Sequence, residues 1–142
     1  MAPNSIIEGV RDYIKSYAGL ESGAPVWVEN LGMEPTEYAV LPIAGVRVIE
    51  TNIIGKRTFE YPFALRSMES IADDFERLEN VGFYENFAAW LDAQSEANSL
   101  PSLPAGLAAE SIEATGWGYL HEEGESQTAV YQVQCSLIYY EE

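Results

Sequence analysis

One cysteine, Cys135, and one histidine, His121, are all that 142 residues offer of the side chains most used in nucleophilic and metal chemistry. A lone cysteine closes no internal bridge, so the fold does not depend on an oxidising compartment. Cations are scarce as well. Seven Lys and Arg stand against 23 Asp and Glu, a formal net charge of −16, which opposes binding to a phosphate backbone that recruits basic side chains. Long apolar runs are missing: Glu8, Arg11, Asp12 and Lys15 interrupt "MAPNSIIEGVRDYIKSYAG", leaving it without the core of a secretory signal. No stretch approaches the ~18 apolar residues that mark a membrane span. A soluble chain with no membrane partner is expected.

Also absent are G-x-S-x-G, H-E-x-x-H, a P-loop and G-x-G-x-x-G, the local signatures of common hydrolases, zinc proteases and nucleotide binders. Carboxylates are plentiful, at Asp73–Asp74 and Glu122–Glu123 among others. With one histidine and no ligand-like spacing, they read as a solvated face. No catalytic, cofactor or metal residue is assigned.

Cys135 and His121 lie in one apparent hairpin and could be a nucleophile and its base. The strand pattern around Cys135 puts Tyr131, Val133, Leu137 and Tyr139 on its face, a core environment that raises a thiol's pKa. His121 falls beside the turn at "EEGES" and Cys135 seven or more residues beyond it, which separates them by more than ~20 Å along the hairpin. Cys135 is expected to pack as a small hydrophobe.

A chain of this length suits one domain, 1–142, able to bury roughly 70% of its unfolded surface. Residues 5–18 predict a helix, with Ile6, Val10, Tyr13, Ile14 and Tyr17 on one face and Ser5 and Glu8 as a capping box. Asn4 competes as the cap, and Gly19 is the expected stop. "APVWVENLG" and "EYAVLPIAG" predict short strands. Further on, Arg57, Phe59, Tyr61, Phe63 and Leu65 alternate with Thr58, Glu60, Pro62, Ala64 and Arg66, the period of a half-buried strand. Pro62 cannot donate to a ladder, so an edge or a bulge is expected there.

Two helices are predicted within 69–97, broken at Gly82, with Phe83, Phe87, Trp90, Leu91 and Gln94 on the face of the second. "NSLPSLPAGL" ends the helical region, and two long β-rich stretches follow. The glycines of "GWG", at 116–118, suggest a bulge or room for a cross-strand side chain.

Charge is uneven. Residues 1–44 sum to −4, residues 45–67 to +2 and residues 68–142 to −14. The basic middle holds a second oddity. Val48–Ile53 should pair with the strand from Arg57, and the connection "NIIGKR" carries Ile53 and Ile54 where a turn is normally polar. Either those isoleucines fold back on the core, or an apolar, basic tip is exposed as a contact surface.

Three blocks, "SIIEGVRDYIKSY", "ENVGFYENFAAWLDAQSEANSLP" and "GYLHEEGESQTAVYQVQCSLIYYEE", together resemble a family of small tailed-phage proteins. These are often labelled minor capsid proteins and are similar to the tail terminator, or tail completion, proteins of long, flexible-tailed phages. The resemblance runs over nearly the whole chain and rests on the order of the blocks. It implies an α+β fold: a mainly antiparallel sheet, helices packed on one side and a projecting β-hairpin.

It further implies a structural virion protein of the neck, assembled in the host cytoplasm, with no enzymatic activity and no cofactor. Its partners would be five other copies in a homo-hexameric ring, the major tail tube protein and a head-completion (stopper) protein. The ring would cap the tube, end its polymerisation and join it to the head. DNA would pass through the lumen without specific binding, repelled by acidic walls. Six copies at −16 each would carry about −96, to be offset at interfaces.

Ile53, Ile54, Lys56 and Arg57 on the hairpin, with Tyr139 and Tyr140 on a C-terminal strand taken as a sheet edge, are the expected interface. Another neck component, a head-closure or connector protein, is the alternative of the same class. A small cytoplasmic enzyme gathering Tyr, Glu and His into a pocket, or a monomeric adaptor, are alternatives of other classes.

Overall fold

A computed structural model describes residues 2–20, 25–28, 37–70, 74–116, 119–123 and 128–142. In chain order the elements are α1 (Ile6–Lys15), β1 (Val26–Val28), β2 (Glu37–Pro42), β3 (Arg47–Thr51), β4 (Arg57–Ser70), α2 (Asp74–Glu96), β5 (Leu107–Ala114), β6 (Tyr119–Glu123) and β7 (Thr128–Glu141). The fold is α+β, a mostly antiparallel open sheet with two helices packed against it.

The sheet has a spine of two long strands. β4 and β7, each 14 residues, run antiparallel in unbroken register from Thr58↔Tyr140 to Ser70↔Thr128. Shorter strands flank each. On the outer side of β4, β2 pairs with residues 63–68 and β3 with 57–60. On the outer side of β7, β5 pairs with 135–141 and β6 with 129–132. β1 extends the sheet beyond β2 as its one parallel strand.

Strand alternation sets the two faces. Phe63 and Leu65 of β4 lie opposite Cys135 and Val133 of β7, and with Tyr38, Val40, Ile112 and Leu137 they form the buried face. Tyr84, Phe87 and Leu91 of α2 and Val10 and Ile14 of α1 close over it. Between the helices, Tyr17 meets Phe87 and Trp90 at ring-centroid distances of 5.6 and 4.8 Å. Burial raises the Tyr13 phenol to about 12. The opposite sheet face mixes polar and apolar side chains, Arg66, Gln132, Ile138 and Tyr140 among them, with Arg66 Nε donating to Gln132 Oε1 at 2.5 Å.

Helix α1 begins as expected, with Ser5 Oγ accepting from the Glu8 N–H at 3.2 Å. The Glu8 carboxylate reaches back to the Asn4 N–H at 3.4 Å. It ends before Gly19, because the Ser16 N–H and hydroxyl both turn to the Tyr13 carbonyl. The Pro-containing segment after α2 is pinned onto this helix. Tyr13 OH donates to the Ser99 carbonyl at 2.8 Å, and Gly9 admits the Ser102 carbonyl where a Cβ would lie 2.2 Å from its oxygen.

Two expectations are corrected, and the one for Pro62 holds only on one side of its strand. Residues 69–70 belong to β4, and α2 runs through Gly82 without a break. Glycine costs a helix about 1 kcal/mol, which burial of Tyr84, Phe87 and Leu91 outweighs. Pro62 lies in an interior strand, yet on its outer side it sits at a local gap, since β2 pairing ends at Phe63 and β3 pairing at Glu60. Its carbonyl, accepting from the Ile43 N–H at 3.2 Å, faces the seam where β2 has ended and β3 has not begun, so no ladder partner waits for the missing donor. Finally, the C-terminal strand is interior: β7 lies between β4 and β5.

Packing predicts a sharp contrast. Leu65, fully buried on the spine, should lose about 2–5 kcal/mol on replacement by Ala. Ile53→Ala should stay within about 0.5 kcal/mol. Urea denaturation of the two variants measures both.

Candidate assembly interface

Asn52 organises the turn between β3 and β4. Its Oδ1 accepts from the N–H groups of Ile54 and Lys56, each at 3.0 Å. Its own N–H reaches the Lys56 carbonyl at 2.9 Å, and its carbonyl accepts from Gly55 N–H at 3.0 Å. Gly55 takes φ +87°, a conformation glycine adopts without the Cβ penalty. With the loop so tied, Ile53 and Ile54 point outward, at 103% and 75% relative exposure. Of the two readings of "NIIGKR", the exposed tip is the one found. Val46, Val48 and Ile49 continue the exposed apolar surface along β3.

The base of this arm is fastened to the chain's last residues. Arg57 Nε and Nη2 donate to the two carboxylate oxygens of Glu141 at 3.0 and 3.2 Å, and its backbone N–H donates to Glu141 Oε1 at 2.8 Å. Lys56 Nζ donates to the Glu142 carbonyl. The Arg57 guanidinium also lies over Phe59, 5.1 Å from the ring centroid, and Phe59 stacks on Tyr139 at 5.0 Å. On the opposite sheet face Glu60 takes Arg47 Nη2 at 3.0 Å and Ser136 Oγ at 3.3 Å, joining β3, β4 and β7. The arm is therefore a braced extension of the sheet.

The six expected interface residues separate into three groups. Ile53 and Ile54 are free at the tip. Lys56 and Arg57 serve the arm's own base. Tyr139 is 4% exposed on the helix-covered face and packs in the core, whereas Tyr140, next along the strand, is 39% exposed on the other face. The Arg57–Glu141 pairing could not be found by sequence spacing, because 84 residues separate the partners.

Tyr140 belongs to a second feature that sequence reasoning missed. Leu100, Pro101, Leu103, Leu107 and Ala108 join it around an open surface groove of about 590 Å³. The segment pinned on α1 through Tyr13 and Gly9 forms one wall, and the start of β5 forms the other.

Cys135 is buried, 1% exposed, opposite Phe63. Its thiol is pushed well up by burial. His121 falls at an irregularity between Leu120↔Tyr131 and Glu122↔Val130. This is about four residues from Cys135, or roughly 14 Å along β7. The expected separation of more than ~20 Å is too long, since β6 folds back beside β7 and carries His121 toward the cysteine. Shared proton transfer needs hydrogen-bond reach. Among the described residues no cluster of three His, Cys, Asp or Glu side chains has a metal-binding arrangement, and no helix is long and apolar enough to cross a membrane.

Fold and surface thus define an α+β sheet protein with a braced apolar arm at one end. Neither a protein-family model nor a curated protein matches the chain. A solved structure aligns over 95% of this chain and 89% of its own, at 18% identity and a TM-score of 0.45.

Glu141 is held below the usual carboxylate value, first by the Arg57 side-chain hydrogen bonds and then by the Arg57 backbone N–H, with Lys56 adding a smaller attraction. Its folded pKa is depressed, so the stabilisation is fully present above the unfolded glutamate value of about 4.3. It is lost as pH falls through the folded value. Carbon-detected NMR should find Glu141 titrating low, and Arg57→Ala should return it toward the ordinary value. Cys135, for its part, should resist a thiol reagent at pH 8 in the native chain and react at once in denaturant.

Proposed function

We propose that this chain is a non-enzymatic structural component of the head–tail joint of a tailed phage, a ring-forming tail terminator that caps the tail tube. One observation carries the reading: Ile53 and Ile54 stand exposed on a turn whose backbone is tied by Asn52. Large apolar side chains held in water on a braced support suit a surface made to be covered. The three-block resemblance supplies the class of assembly, and the acidic remainder of the chain suits a lumen through which DNA slides unheld. In this role the partners are further copies of the chain, the tail tube protein and a head-completion protein, and the protein resides in the virion.

Lys56 and Arg57 are less clean probes of docking than their sequence suggests. Reversing both would break the clamp on Glu141 and Glu142 along with any contact across subunits. The isoleucines test the contact alone. Light scattering should give a hexamer mass for the wild type, alone or on purified tube ends. Ile53→Asp/Ile54→Asp should be monomeric, with unchanged circular dichroism and no ability to stop tube growth. A wild type that is strictly monomeric and never caps tubes would overturn the reading.

A further inference from the structure

We infer that the Ser95 hydroxyl holds the outer edge of β5 shut against a further strand, so that a second copy of the chain cannot add to the sheet there. β5 ends the sheet on the far side of β7, and an edge strand is a template on which another chain can pair. This edge lies away from the arm, so the ring reading above is not needed for it.

Antiparallel strands turn their backbone groups alternately toward and away from a neighbour. Ile112, opposite Leu137 of β7, turns both of its groups to Ser95. Its N–H donates to Ser95 Oγ at 2.9 Å, and its carbonyl accepts from the same hydroxyl at 2.5 Å. An incoming strand would offer that residue one acceptor and one donor, and Ser95 supplies both. Helix α2 places it there. Ala88, Asp92 and Ser95 recur four and three residues apart and so share one stripe of the helix. The stripe follows β5, because Ala88 and Asp92 border a cavity of about 100 Å³ with Ala114, Thr115 and Gly116.

Elsewhere the edge is interrupted by the backbone itself. At its start the Leu107 N–H is taken by the Pro104 carbonyl at 3.1 Å. Past its end the N–H groups of Thr115 and Gly116 both turn inward to the Gln134 carbonyl, at 2.7 and 3.1 Å. In between, the register shifts between Ala109 and Ser111, an irregularity that disrupts pairing. Ser111–Ala114 is left as the regular run, with buried Ile112 inside it. Ser95 therefore closes the stretch best able to take a strand. Exposed Glu113 adds charge there, which also discourages pairing. At the arm edge β3 is exposed throughout, and among the described residues no side chain bridges a β3 backbone pair in this way.

Ser95→Ala tests the guard, with Ile14→Val as a variant that trims the core under α1, a helix packed on β1 and β2. In dilute Ser95→Ala, NMR-detected hydrogen exchange at the Ile112 amide should be about fivefold to tenfold faster than in the wild type, the loss of one ordinary hydrogen bond. That gain should exceed any at β4 or β7 amides. In light scattering over a concentration series, Ile14→Val should track the wild type, whatever its copy number, while Ser95→Ala should gain at least a second copy per particle. In the associated material the Ile112 amide should be protected again, now by the added strand. Unchanged exchange at Ile112, or a Ser95→Ala mass equal to that of the wild type at every concentration, would overturn the role given to Ser95. Equal growth of Ile14→Val would also overturn it, since lost stability would then be the cause. A wild type that proves strictly monomeric removes the ring reading and leaves the guard standing.

Discussion

Everything else in this molecule hangs on the pairing of β4 with β7. Their register holds over the full length of both strands, and each is flanked by two shorter strands end to end. One alternation of side chains therefore decides two things at once. It gathers Phe63, Leu65, Val133, Cys135 and Leu137 under the helices, and it continues along the same ladder to support the β3 arm. A register slip of one residue would send the core set to the other face. Core and arm are thus specified by a single constraint.

That constraint explains why the arm can be apolar and still stand free. Its base is clamped by Arg57 on Glu141 and by Lys56 on Glu142, while Glu60 holds Arg47 and Ser136 on the other face. Its tip is closed by Asn52 and Gly55. Such a tip enters an interface already ordered, so association loses little freedom there. The basic segment fixes the arm to the acidic end of β7.

How much of this the sequence shows depends on whether the information is local. The α1 stripe and its Ser5–Glu8 cap, the hairpin at Gly55 and the inward face of β7 follow from spacing, and all are present. Gly82 misled, since glycine is a weak breaker when the turns on its far side bury Tyr84 and Phe87. Pro62 was half legible: a gap in pairing does occur beside it, but that the gap lies between the ends of two other strands is something no window around residue 62 contains. Reading β7 as an edge failed because a C-terminal position says nothing about its neighbours. The clamp was invisible because 84 residues separate its partners, and the groove because it joins the 100–108 segment to Tyr140; only the long-range register brings them together. What could be read of the interface was the anomaly itself, two isoleucines in a turn.

The account stands or falls on whether copies of this chain close into a ring. Electron cryomicroscopy of the purified protein, alone and on tail-tube ends, addresses this directly. The account predicts a six-fold ring in end views, with every Ile53–Ile54 tip covered. Isolated monomers, or a two-fold dimer with its hairpins in solvent, would contradict it.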